Sequence, residues 1–69
     1  MQIEAEKIAK AYNEFKSKLT PREIGIVTKY YGIGKESRHT LAELGKMQDV
    51  TRERIRQIKV VALKKLGIR

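Results

Sequence analysis

The sequence predicts an all-α fold, a small domain of four helices at about residues 3–18, 21–31, 41–47 and 52–66 that ends in a helix-turn-helix. Three observations carry this prediction. Apolar residues recur at steps of three and four rather than two. Thr20, Thr40 and Thr51 stand where helices would begin, and the first two are followed three positions later by glutamate. A chain of 69 residues is also most simply stabilised by local contacts, which cost little loop-closure entropy. Residues 1–69 read as one domain, which at this length buries only ~60% of the surface of the unfolded chain. With no cysteine, neither disulfides nor thiolate-bound metal supplement the core, which fits a reducing compartment.

The first helix, within residues 1–18, contains no Gly or Pro, and Ile8, Ala11, Tyr12 and Phe15 fall at helical spacing with Leu19 one turn on. "LTPRE" (19–23) starts the second. Thr20 caps it, Pro21 suits the first helical position, Glu23 completes a capping box, and Leu19 staples against Ile24. Ile24, Val27 and Tyr31 share one face. Ile26 and Tyr30 form a second apolar pair, whose simplest role is contact with the first helix. "GIGKESRH" (32–39) is a loop in which Gly32 tolerates the left-handed conformation that ends a helix. It is no phosphate-binding loop of the Walker type, because the first glycine is missing at the required offset and Glu36 stands where Ser or Thr should follow Lys35.

Thr40 and Glu43 form the second capping box. Leu41, Leu44 and Met47 are predicted to face inward, and Gly45 suits a close backbone approach. "QDV" (48–50) makes a tight corner with Val50 plugging the core, and Thr51 caps the last helix, which Gly67 ends. Ile55, Ile58, Ala62 and Leu66 define a buried stripe, with Glu53, Gln57, Val60 and Lys64 opposite at about 100° per residue.

The net charge is +8, and six of those charges fall within residues 45–69. Such concentration points to a polyanion, most simply nucleic acid. A short helix, a tight corner and a longer basic helix make a helix-turn-helix, whose second helix enters the major groove. There Arg pairs with guanine, Gln with adenine, and Glu accepts from cytosine. A carboxylate on a phosphate-binding surface is unfavourable, so Glu53 fits base readout or the orienting of a neighbouring arginine. Free N–H groups at the start of the last helix favour phosphate near Thr51.

"LTPRE…YYGIG…HTLAELGKMQDVTRERIRQIKVVALKKL" (19–66) resembles region 4 of bacterial primary-type sigma factors, the promoter-recognition subunits of RNA polymerase. "DVTRERIRQI" (49–58) is the most specific piece. The resemblance implies binding of double-stranded promoter DNA at the minus-35 element and docking on the flap tip of the polymerase beta subunit. By position, it implies base readout by Arg52, Glu53 and Gln57, and backbone contacts by Arg22, Thr40, Leu41, Thr51, Arg54 and Arg56. Ile26, Val27 and Tyr30 match the helices that supply the flap groove. An anti-sigma factor or an activator is a further implied partner, and the implied setting is the cytoplasm of a bacterial or phage-infected cell.

Three departures stand out. Ala42 replaces a usual Glu, Lys59 replaces a usual Glu, and Val60 and Val61 place apolar groups on a mostly exposed face, as surface apolarity or as a protein contact. Nothing resembles regions 2 or 3, so both a piece of a full sigma factor and a stand-alone region-4-like protein fit. In the latter, residues 1–18 would extend the core or mediate dimerisation. Rival functions are an independent dimeric repressor or activator using the same helix, and a sigma mimic acting through protein contacts alone.

An enzyme is not expected. His39 lies in a loop without an acid–base partner, the carboxylates are scattered with most at helix starts, and no metal-ligand spacing is present. No apolar run approaches the ~18 residues of a membrane span, and the charged N-terminus is no signal peptide.

Overall fold

The computed structural model describes residues 2–34 and 36–68. It contains four α-helices, α1 (Gln2–Phe15), α2 (Pro21–Tyr31), α3 (Leu41–Gln48) and α4 (Arg52–Lys65). The first helix is shorter than its sequence predicts. It stops at Phe15 and tightens into a 3-10 turn over Lys16–Lys18, which the Leu19 N–H closes on the Lys16 carbonyl.

The helix starts follow the capping chemistry. The hydroxyls of Thr20 and Thr40 accept the backbone N–H of Glu23 and Glu43, and each glutamate carboxylate accepts its threonine's N–H in return. Thr51 accepts only from the Arg54 N–H at 3.1 Å, since no glutamate stands at that offset. Gly32 adopts φ 67° at the end of α2. Asp49 ends α3 at φ 58° and is the described non-glycine residue with positive φ, a conformation that Asp and Asn visit more readily than most residues.

The interior falls into two apolar clusters. Ile8, Leu19, Val27, Ala62 and Leu66 form one, with Tyr12, Phe15, Ile24 and Tyr31 packed against it. Ile26, Leu44, Ile55 and Ile58 form the other, with Tyr30, Leu41 and Val50 at its edge. The stripe predicted on α4 is therefore buried in full. Two expectations are corrected. Ile26 and Tyr30 pack on the helix-turn-helix rather than on α1, because the Ile24, Val27 and Tyr31 face takes the α1 side. Met47 is 54% exposed rather than turned inward, since α3 ends one residue later and Val50 fills the space beneath the corner.

A partly buried polar connection joins α2 to the end of α4. The Glu23 carboxylate receives the Lys65 ammonium at 3.0 Å as well as the Thr20 N–H. Burial pushes the Glu23 carboxyl up, but the Thr20 N–H and the Lys65 ammonium together hold it below its ordinary value. Among the described residues, no buried side-chain polar atom is left without a partner.

Candidate nucleic-acid interface

The packing of α4 determines what it presents. Ile55 is 0% exposed and Ile58 7%. With those two side chains fixed inward, Glu53 and Gln57 take the opposite side with Arg56 beside them, while Arg52, one turn before Ile55, flanks the stripe, and all four are exposed. Arg54 is also exposed, at the edge of the stripe.

The close approach of α3 to α4 sets the position of this face. The Val50 N–H donates to the Gly45 carbonyl at 2.9 Å, folding the corner back on α3. A Cβ at Gly45 would lie 2.7 Å from the Val50 carbonyl oxygen and 3.3 Å from the Arg52 nitrogen, so only glycine permits the contact.

Within the exposed face, Arg56 grips Glu53. Its Nε donates to Glu53 Oε1 at 2.9 Å and its Nη2 to Oε2 at 2.6 Å. These bonds hold the Glu53 carboxyl below its ordinary value, against a desolvation effect and with help from the charges of Arg56 and Arg52. The same pairing raises Arg56. Arg56 thus has its donors engaged by a carboxylate, whereas Arg22, Arg38, Arg52 and Arg54 carry no ion pair among the described residues. Of the two expectations for Glu53, the structure shows the partnership with a neighbouring arginine.

The remaining sequence-predicted residues divide. Thr40, Leu41 and Arg52 line one open groove of about 430 Å³ together with Tyr30, Arg38, His39 and Ala42. Thr51 and Arg52 line a second groove along the α3–α4 corner. Arg22 is exposed on the first turn of α2 but lines neither groove. Ile26 and Val27 are corrected as partner contacts, because both are 0% exposed and offer no surface. Tyr30 is half-buried, with the Lys59 ammonium 4.7 Å from its ring centroid and Tyr31 edge-on. Val60 is half-buried, and Val61 is 47% exposed.

Arg38 and His39 were not singled out as site residues by the sequence. The loop that carries them has no periodicity, and only the fold brings it beside the start of α4. No group of three His, Cys, Asp or Glu able to hold a metal occurs among the described residues, and no described helix is long and apolar enough to cross a membrane.

Comparison with known proteins agrees with this geometry. A family model described as sigma-70, region 4, matches residues 17–66. The RNA polymerase sigma factor RpoD of Neisseria gonorrhoeae is 51% identical over 53 residues, a stretch covering 77% of this chain and 8% of that protein. The chain thus spans less than a tenth of the length of this relative. No solved structure matches. The matched residues take in both capping boxes, the Gly45 corner and the whole exposed stripe of α4, and the chain belongs to the sigma-70 region 4 family, helix-turn-helix DNA-binding domains of transcription.

Proposed function

We propose that this chain is a promoter-recognition module. It reads a minus-35-type element through the major groove with Arg52, Glu53 and Gln57 on α4, and it docks on the beta flap of RNA polymerase. The observation that carries the reading is the exposed polar stripe of α4, fixed outward by the burial of Ile55 and Ile58. Arg and Gln in such a stripe have the donor and acceptor geometry for base edges. Arg54 and the capped helix starts at Thr40 and Thr51 serve the phosphates, with Arg22, Leu41 and Arg56 at the flanks. Glu53 performs two tasks in this scheme, as acceptor for cytosine and as the clamp that aims Arg56.

Tyr30 and Val61 retain exposed surface for a polymerase, activator or anti-sigma contact, unlike Ile26 and Val27. A module of this kind works in the cytoplasm, where its DNA and its polymerase are.

Fluorescence anisotropy on a minus-35-type duplex and on a scrambled duplex tests the reading. Gln57→Ala should cost ~1–3 kcal/mol on the specific site and relax preference at one base pair. Arg54→Ala should weaken both duplexes alike. Equal losses on both duplexes for both variants would remove the base-reading role. Pull-down with core polymerase, with and without the flap tip, tests docking. Tight binding to a palindromic duplex without polymerase would instead favour a dimeric repressor or activator joined through residues 1–18.

A further inference from the structure

We propose that the groove between the 36–40 loop and the start of α4 seats a backbone phosphate of duplex DNA, with Arg38 as its principal ligand. The proposal rests on the DNA-binding reading above and extends the protein's footprint beyond the helix-turn-helix.

Three observations converge on it. The groove is lined by Tyr30, Arg38, His39, Thr40, Leu41, Ala42 and Arg52, and no carboxylate is among them. Ala42 puts an uncharged methyl group on that wall. The nearby acids already have partners: Glu43, beside the groove, accepts the Thr40 N–H at 2.7 Å, and Glu36 lies 3.6 Å from the Lys29 ammonium.

Arg38 is also held in place. Its stem lies across Gly32, where an added Cβ would come within 2.7 Å of the Arg38 Cγ. The His39 N–H donates to the Lys29 carbonyl at 2.8 Å, which ties the loop to α2 just after Arg38, and His39 Nδ1 donates to the Ser37 carbonyl at 2.8 Å across it. The Arg38 guanidinium has no ion pair among the described residues. A stem anchored on glycine and a free planar fork suit bidentate capture of a phosphate at reduced entropic cost. Arg52 on the facing wall joins the groove to the base-reading stripe, so the captured phosphate borders the base pairs that α4 reads.

The test measures affinity against salt by anisotropy for the whole chain. Arg38→Ala, and Arg38→Met to keep the stem, should lower affinity equally on specific and scrambled duplexes. Each should lose about one unit of log–log salt slope. A fourfold rise in salt then weakens either variant about 3.5-fold less than wild type. Ala42→Glu should produce the same change. A scan of single neutral methylphosphonates should find one position that weakens wild type but leaves Arg38→Met unaffected.

Unchanged slopes in the Arg38 variants, with Gln57→Ala still relaxing specificity, overturn the groove and leave the promoter reading standing. Slope loss in Arg38→Ala but not in Arg38→Met assigns the effect to loop packing and also overturns it. Failure of the wild-type chain to bind any duplex removes both.

Discussion

Two glycines in two helices should respond to alanine with opposite signs. Gly45 in α3 faces backbone only: the Val50 oxygen would be 2.7 Å from a new Cβ, with the Arg52 nitrogen and the Thr51 carbonyl carbon both at 3.3 Å. No side chain can rotate away, so the corner must open until the first distance reaches an ordinary contact of at least 3.4 Å. Overpacking of this kind costs about 1–3 kcal/mol. Replacing a helical glycine by alanine returns about 0.5–1 kcal/mol. Gly45→Ala should therefore destabilise by about 1–2 kcal/mol, a fall in Tm of roughly 5–15 °C for a domain of this size.

Gly25 in α2 has nothing within 4 Å of its own added Cβ. Gly25→Ala should collect only the helix preference, raising Tm by roughly 2–8 °C. Thermal melts followed by circular dichroism measure both. Gly45→Ala melting at or above wild type, or the two variants shifting the same way, would refute the close-approach argument for the corner.

Acid should weaken the fold in a way that Glu23→Gln removes. The Glu23 carboxyl is held below its ordinary 4.5 in the folded chain. Its contribution is thus present above about pH 4.5 and is lost as pH falls through the lower folded value. Tm measured from pH 6 down to pH 3 should drop less steeply in Glu23→Gln, and an identical acid limb would contradict the pairing with Lys65. On the DNA face, Glu53→Gln should free the Arg56 guanidinium and remove a negative charge. Affinity for scrambled duplex should then rise, with a salt slope larger by about one. A lower or unchanged affinity for scrambled duplex would contradict the clamp.

The helix starts were legible because each is local chemistry. A threonine and a glutamate three apart need no knowledge of the rest of the fold, and both boxes formed. The α4 stripe was legible for a similar reason, because Ile55, Ile58, Ala62 and Leu66 follow one another at steps of three and four within a single helix. What escaped was non-local or two-sided. Glu23 meets Lys65 across 42 positions, a partnership that no spacing rule reports. On α2, apolar residues point two ways, and periodicity alone could not say which side α1 would take. Met47 has a helical spacing that suits burial, but burial there depends on how much room Val50 leaves. The candidate site followed the same division: Arg52, Glu53 and Gln57 belong to one helix and were found together, whereas Arg38 reaches their neighbourhood only through the fold.

Ile26 and Val27 are consecutive, yet each is buried in a different apolar cluster. Among the described residues, α1 belongs to the cluster around Val27 and α3 to the cluster around Ile26, while α2 and α4 run through both. The molecule is therefore built like a handle and a blade on a shared tang. A transient peeling of α1 would bare Ala62 and Leu66 but leave Leu44, Ile55 and Ile58 clenched. Amide hydrogen exchange should then separate into a faster rear and a slower front, and changes that remodel the handle would leave the cutting edge unaltered.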